Sequence, residues 1–224
     1  MGKTLIKICG LQDVEVLKSM IHLPVHYIGL VFAPSKRRVS PEQARKLLSV
    51  LDKQDSGRPH AVGVFVNPAM EELALTLRDA PLDVIQLHGT ESPVRCGVVK
   101  RRFPGVRVWK ALAAMPGGAC TSDGAYRAAD YAAAVDALLL DTYDASRQGG
   151  SGRAFDWSTV PAVQQAARAM GVPLFVAGGL HEGNVDQLIR NYSPDGVDVS
   201  SGVETAGLKD MLKISAFVER VGQS

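Results

Sequence analysis

Several short segments of the chain carry side chains able to do chemistry. In "LIKICGL", residues 5 to 11, Cys9 closes an apolar run immediately before a glycine. A cysteine there serves as a small buried filler, a metal ligand or a reactive thiol, and it is the thiolate that reacts. Lys7 shares its strand parity and can stand beside the sulfur, favouring the charged form. In "LLLDT" (138–142), Asp141 ends a second run on the parity of Leu139 and Ala137, as a turn or cap aspartate or as a proton-transfer group. The glycine-rich "GGSGRAFDW" (149–157) that follows is long enough to fold over a ligand and exclude water. Two further runs end in glycines, "FVAGGL" (175–180) at Gly178 and Gly179, and "DVSSGVE" (198–204) at Ser200, Ser201 and Gly202. The basic loop "APSKRRVS" (33–40) offers an arginine that can grip a carboxylate with two N–H groups, with the Ser35 hydroxyl nearby. Spacing alone does not single out one of its three adjacent cations, Lys36 to Arg38. His88 shares a parity with Gln86 and reads as a hydrogen-bonded structural residue, while Lys110 offers an amine for a carbonyl substrate. Cys96 and Cys120 fall in a helical stretch and a loop and read as unreactive.

The elements that must position these residues recur along the whole chain. Strand-like runs occur at 4–9, 27–32, 60–66, 83–88, 106–112, 135–141, 172–177 and 196–200. Between them lie helical patterns. Val14, Leu17 and Ile21 repeat at i, i+3 and i+7, and "SPEQARKLLSVL" (40–51) opens on a serine cap with proline at the first helical position. "NPAMEELALTLRD" (67–79) repeats that grammar, with Asn67 as the expected cap. Further helices are expected over 91–102, 122–134, 156–170, 181–192 and 208–221, and "MPGGACTSDG" (115–124) reads as a loose loop. Eight strand–helix units in 224 residues fit a closed (β/α)₈ barrel forming a single domain over residues 1–224. An open doubly wound sheet usually carries GxGxxG after its first strand, where this chain has "CGLQDVE". In a barrel the chemistry sits at the carboxyl ends of the strands, where Cys9, Asp141 and both glycine pairs fall. A lone glycine pair is more often plain turn permissiveness, but glycines after both the seventh and eighth strands let main-chain N–H groups approach an oxyanion beside a helix start and point to a phosphate site.

Composition narrows the partners. A formal net charge of +2 demands no polyelectrolyte, and "SKRR" is too short a basic run to read as a nucleic-acid face. Three cysteines without CxxC spacing argue against a zinc cluster or a disulfide framework and suit a reducing cytoplasm. No 18-residue apolar run and no signal-like start occur, so neither a membrane nor an export role is indicated. The lack of a long exposed apolar stripe points to a monomer, with a dimer as the alternative.

Taken in order, "KICG", "GLVFAPSKRRVSPEQA", "VGVFVN", "VIQLHG", "WKA", "LLLDT", "GGSGRAFDW", "AGGL" and "VDVSSGVE" resemble the phosphoribosylanthranilate isomerase family of tryptophan biosynthesis, over residues 7 to 204. The resemblance implies a (β/α)₈ barrel that uses no cofactor and no metal. It implies an Amadori rearrangement of a small phosphoribosyl substrate, N-(5-phosphoribosyl)anthranilate, to 1-(2-carboxyphenylamino)-1-deoxyribulose 5-phosphate. The family's general base matches Cys9 and its general acid Asp141; its carboxylate-binding arginine matches Arg37, favoured over Arg38 by the order Ser-Lys-Arg. Phosphate falls to the backbone around Gly178, Gly179, Ser201 and Gly202. Two rivals remain: a Schiff-base lyase using Lys110, and a non-catalytic sugar-phosphate sensor. A histidine-pathway isomerase is expected to have an aspartate where Cys9 stands.

Overall fold

The computed structural model describes residues 3–52, 57–115, 118–121, 123–141 and 157–224. Eight parallel strands close into a barrel: β1 (Leu5–Cys9), β2 (Tyr27–Val31), β3 (His60–Phe65), β4 (Val84–Leu87), β5 (Arg107–Met115), β7 (Ala137–Asp141), β8 (Leu174–Ala177) and β9 (Gly196–Val199). Closure comes from β1 pairing with β9 as well as β2, and from β4 pairing with β5. A short strand, β6 (Gly118–Cys120), runs antiparallel to the end of β5, and β10 (Glu204–Thr205) forms a small hairpin with β11 (Leu208–Lys209).

Strands buried on both faces read as near-continuous apolar runs, and "ALLLD" shows the rule. Ala137 and Leu139 point into the lumen, whereas Leu138 and Leu140 pack outward against the helices. Asp141 continues the inward parity. The lumen is filled by Tyr27, Val62, Val84, Trp109, Ala111 and Phe175 among others. The Trp109 and Phe175 rings stack at 4.5 Å, with Tyr27 edge-on to Trp109 at 4.8 Å. It is a packed core and not a pore.

Seven α-helices are described: α1 (Val14–Met20), α2 (Pro41–Leu51), α3 (Met70–Asp79), α4 (Pro93–Arg102), α5 (Val160–Met170), α6 (Val185–Tyr192) and α7 (Met211–Gly222). Asp13, Ser40, Ser92 and Asp210 cap four of them by accepting from first-turn N–H groups, each cap contributing about 1 kcal/mol. None of the described helices is long and apolar enough to cross a membrane.

Four expectations are corrected. Asn67 does not cap α3, whose cap is Ala69. Asn67 instead adopts a left-handed φ of 47°, and its Oδ1 accepts from the Thr90 N–H at 2.9 Å, tying the ends of β3 and β4 together. The helix expected over 122–134 is only a 3₁₀ turn, Ala128–Tyr131, pinned by the buried Tyr131 hydroxyl donating to the Glu91 carbonyl at 2.7 Å. The loop expected over 115–124 includes β6, because backbone pairing with β5 outweighs its glycine content. At the other end of the chain, Leu208 and Lys209 belong to the hairpin, and α7 begins only after Asp210.

Candidate active site

All eight barrel strands run the same way, so Cys9 at the end of β1 and Asp141 at the end of β7 share one mouth. Beneath the sulfur lies a buried ion pair. The Lys7 ammonium, on the inward parity of Cys9, donates to Asp198 Oδ2 on β9 at 2.8 Å. Register puts the two residues side by side. The other Asp198 oxygen is buried without a hydrogen-bond partner among the described residues. Burial pushes the Cys9 thiol up, and the Lys7 charge only partly offsets this. For Lys7 itself burial pulls downward, but Asp198 and the Cys9 sulfur win and its pKa is raised.

Asp141 is 29% exposed, and its Oδ2 stands 3.5 Å from His88 Nε2. The other His88 nitrogen, Nδ1, lies 3.1 Å from the buried Gln86 amide nitrogen. With that amide donating, the imidazole proton sits on Nε2 and faces the carboxylate. His88 therefore holds the position the sequence suggested, hydrogen-bonded, and also touches Asp141.

The loop after β2 turns Arg37 inward and leaves Lys36 and Arg38 exposed. Ser35 Oγ accepts from the Arg37 N–H at 3.1 Å, and Gln12 Nε2 donates to the Lys36 and Arg38 carbonyls, fixing the turn. The Arg37 side chain lies over Gly10, where an added Cβ would come within 2.5 Å of its Cδ. Its Nε and Nη2 donate to the two oxygens of Glu204 at 2.6 and 2.8 Å. Lys209 donates to Glu204 Oε1 at 2.8 Å and to the Ser200 carbonyl at 2.9 Å. Ser200 Oγ in turn donates to the Cys9 carbonyl at 3.0 Å. Burial alone would raise the Glu204 carboxyl, but Arg37 and Lys209 hold it down at about 2.

The two glycine segments touch. Gly178 and Gly179 have φ of 91° and 62°, a turn favourable to glycine. Gly202, in the 3₁₀ turn Ser201–Val203, lies so close to this loop that a Cβ would stand 1.8 Å from the Leu180 carbonyl oxygen. Asn184 braces the loop, donating to the Gly179 carbonyl at 3.1 Å and accepting from the His181 N–H at 2.9 Å. Main chain from both segments thus converges beside the start of α6, an arrangement suited to an anion.

Cys9, Asp141, Arg37, Gly178, Gly179, Ser201 and Gly202 all belong to the strand-end face. Glycine-rich 149–156 lies outside the described residues. Cys96 is buried on α4 and pushed up to about 12 by that burial, which makes it inert. Lys110 is buried on the helix side of β5, and its ammonium donates to the Leu87 and Gly89 carbonyls and to Glu91 Oε2 at 3.3, 2.6 and 2.9 Å. All three N–H donors are engaged, which removes the basis of the lyase reading. Sequence reasoning gave no role to Asp198, Glu204 or Lys209. Inward parity in β9 marks Asp198, and Glu204 closes "DVSSGVE", but nothing local marks Lys209. Among the described residues no cluster of three or more His, Cys, Asp or Glu is arranged to hold a metal ion.

Fold and strand-end chemistry place the chain among (β/α)₈-barrel enzymes. The family model for N-(5'phosphoribosyl)anthranilate (PRA) isomerase matches residues 6–220, and the chain belongs to that family. The N-(5'-phosphoribosyl)anthranilate isomerase of Brevibacillus brevis is 49% identical over 218 residues, covering 97% of this chain and 93% of the relative. The crystal structure of the Thermotoga maritima phosphoribosyl anthranilate isomerase superposes with a TM-score of 0.79 at 33% identity, covering 99% of this chain and 100% of that one. A phosphoribosyl anthranilate isomerase solved in complex with reduced 1-(o-carboxyphenylamino)-1-deoxyribulose 5-phosphate gives 0.75 at 31% identity, with the same coverage. The chain is thus an aldose–ketose isomerase of tryptophan biosynthesis acting on a small molecule.

Proposed function

We propose that the chain performs its isomerisation by proton transfer between two side chains, Asp141 as general acid and Cys9 as general base, with no cofactor or metal. The observation that carries this reading is that both residues end parallel strands at one barrel mouth, next to touching glycine turns. Asp141 donates its proton to the ribose ring oxygen of N-(5-phosphoribosyl)anthranilate. The C1′–O bond breaks and the nitrogen lone pair forms an iminium. That cation acidifies the C2′ proton, and the Cys9 thiolate takes it, leaving an enolamine that tautomerises to the ketone. Exchange with solvent returns a proton to Asp141 and removes one from Cys9. Lys7 beneath the sulfur and the iminium in front of it both favour the thiolate, against the burial that opposes it.

Arg37 binds the anthranilate carboxylate, and the main chain around Gly178, Gly179, Ser201 and Gly202 binds the phosphate. A relative solved with a reduced product analogue supports a ligand of that shape. Residues 1–224 act as one catalytic domain, monomeric and cytoplasmic, with no nucleic-acid or membrane partner. The test is the fluorescence decay of freshly made phosphoribosylanthranilate with wild type, Cys9→Ser and Asp141→Asn. Each substitution is expected to cost about 10²–10⁴-fold in kcat while product binding is retained. Turnover near wild type in either variant removes that residue from its role.

A further inference from the structure

Arg37 is not a free cation waiting for substrate. A guanidinium has two edges that can each grip a carboxylate, Nε with Nη2 and Nη1 with Nη2. Here Glu204 occupies the first edge with both of its oxygens, at 2.6 and 2.8 Å. Glu204 is itself buried and held by Lys209 at 2.8 Å, and the Lys213 ammonium donates to its backbone carbonyl at 2.8 Å. The hairpin of β10 and β11 pairs Glu204 directly with Lys209. Lys209 is only 5% exposed at its side chain and reaches on to the Ser200 carbonyl, so the assembly is anchored to the end of β9.

We propose that Glu204, seated by Lys209, is a positioning residue: it holds Arg37 by the Nε–Nη2 edge and so aims the Nη1–Nη2 edge at the carboxylate of the substrate. This rests on the reading of Arg37 as the carboxylate-binding residue and explains how a long, flexible side chain is made ready for it. An arginine pinned on one edge has lost its rotamer freedom before the ligand arrives, so less entropy is lost on binding. The Lys209 ammonium also balances the charge of Glu204, leaving Arg37 a net attraction for a second carboxylate. Discrimination for the carboxylated aromatic ring then resides in three residues, of which only Arg37 touches the ligand.

Calorimetric titration with two ligands tests this. One is reduced 1-(o-carboxyphenylamino)-1-deoxyribulose 5-phosphate, and the other is its phenylamino counterpart without the carboxylate. In Glu204→Gln the first ligand is expected to bind about 10- to 100-fold more weakly, the worth of a hydrogen-bonded charge, while the second binds as to wild type. Lys209→Met is expected to shift the same ratio in the same direction, and it decides the matter if Glu204→Gln does not fold. Arg37→Met should abolish the preference, and adding Glu204→Gln to it should cost nothing more. If Glu204→Gln keeps the wild-type preference while Arg37→Met loses it, the positioning role falls and the Arg37 reading survives. If Arg37→Met keeps the preference, both fall. A merely structural Glu204 would weaken the two ligands equally, which also overturns the proposal.

Discussion

At the scale of single residues, the proposed chemistry turns on how a buried thiol is made basic. Desolvation lifts Cys9 above its ordinary value, and the Lys7 and Lys209 charges pull it back only in part. The free enzyme therefore holds mostly thiol at neutral pH, and alkylation of Cys9 by iodoacetamide should quicken as the pH rises toward the thiol's raised pKa. We expect that alkylation to show a rising limb above neutrality that is absent in Cys9→Ala. In Lys209→Met that limb should move to higher pH, because a charge favouring the thiolate has been removed. An alkylation rate flat between about pH 7 and 10 would exclude a raised thiol at Cys9. The identities of Cys9 and Asp141 are plain in the sequence because each ends an apolar run. Asp198, the partner of Lys7, sits 191 residues away, and only closure of β1 onto β9 makes them neighbours.

At the scale of elements, the contact between the loops after β8 and β9 is the tightest feature of the mouth. A Cβ on Gly202 would meet the Leu180 carbonyl, and backbone on both sides leaves little to yield. Gly202→Ala is expected to lower stability by about 1–3 kcal/mol and to weaken phosphate-bearing ligands together, whatever their aromatic part. Gly222→Ala, where no atom lies within 4 Å of the added carbon, should stay within about 0.5 kcal/mol of wild type. Thermal melts of the two variants beside a phosphate titration check both statements. The glycines themselves were readable as strand-end turns, but their mutual contact was not. Local grammar also succeeded unevenly. Ser40 with Pro41 does cap α2, yet the similar Asn67 and Pro68 do not start α3, because Thr90 and Glu91 compete for the Asn67 side chain and backbone.

At the scale of the whole molecule, packing divides the barrel into a filled lumen and a polar mouth. Tyr27, Trp109 and Phe175 fill the lumen with ring contacts of 4.5 to 5.5 Å. The polar groups Lys7, Asp198, Cys9 and Asp141 all face inward, toward the mouth. Among the described residues, the large exposed apolar side chains are Val66, Leu75, Val94, Val98, Leu208 and Leu212, shared among α3, α4, the end of β3 and the β11–α7 junction. A stable dimer generally buries about 800 Å² on each partner with an apolar centre. These few side chains, divided among several elements, make a poor centre. Light scattering at micromolar concentration is therefore expected to return the monomer mass of 23.9 kDa. A dimer mass that persists on dilution would reverse that expectation.

The sequence alone determined the barrel, since eight apolar strand patterns alternating with helices leave few topologies, and it marked the strand-end residues, since fold physics places chemistry there. Periodicity and capping are local properties, and they are legible wherever neighbours in the chain decide the outcome. Only the tertiary structure decided which of three adjacent cations turns inward, that Lys110 faces the helices with its ammonium fully engaged, and that Glu204 and Lys209 hold Arg37 by one edge. Those outcomes depend on charges brought together from distant parts of the chain, and nothing in local spacing encodes which buried ion will find which partner.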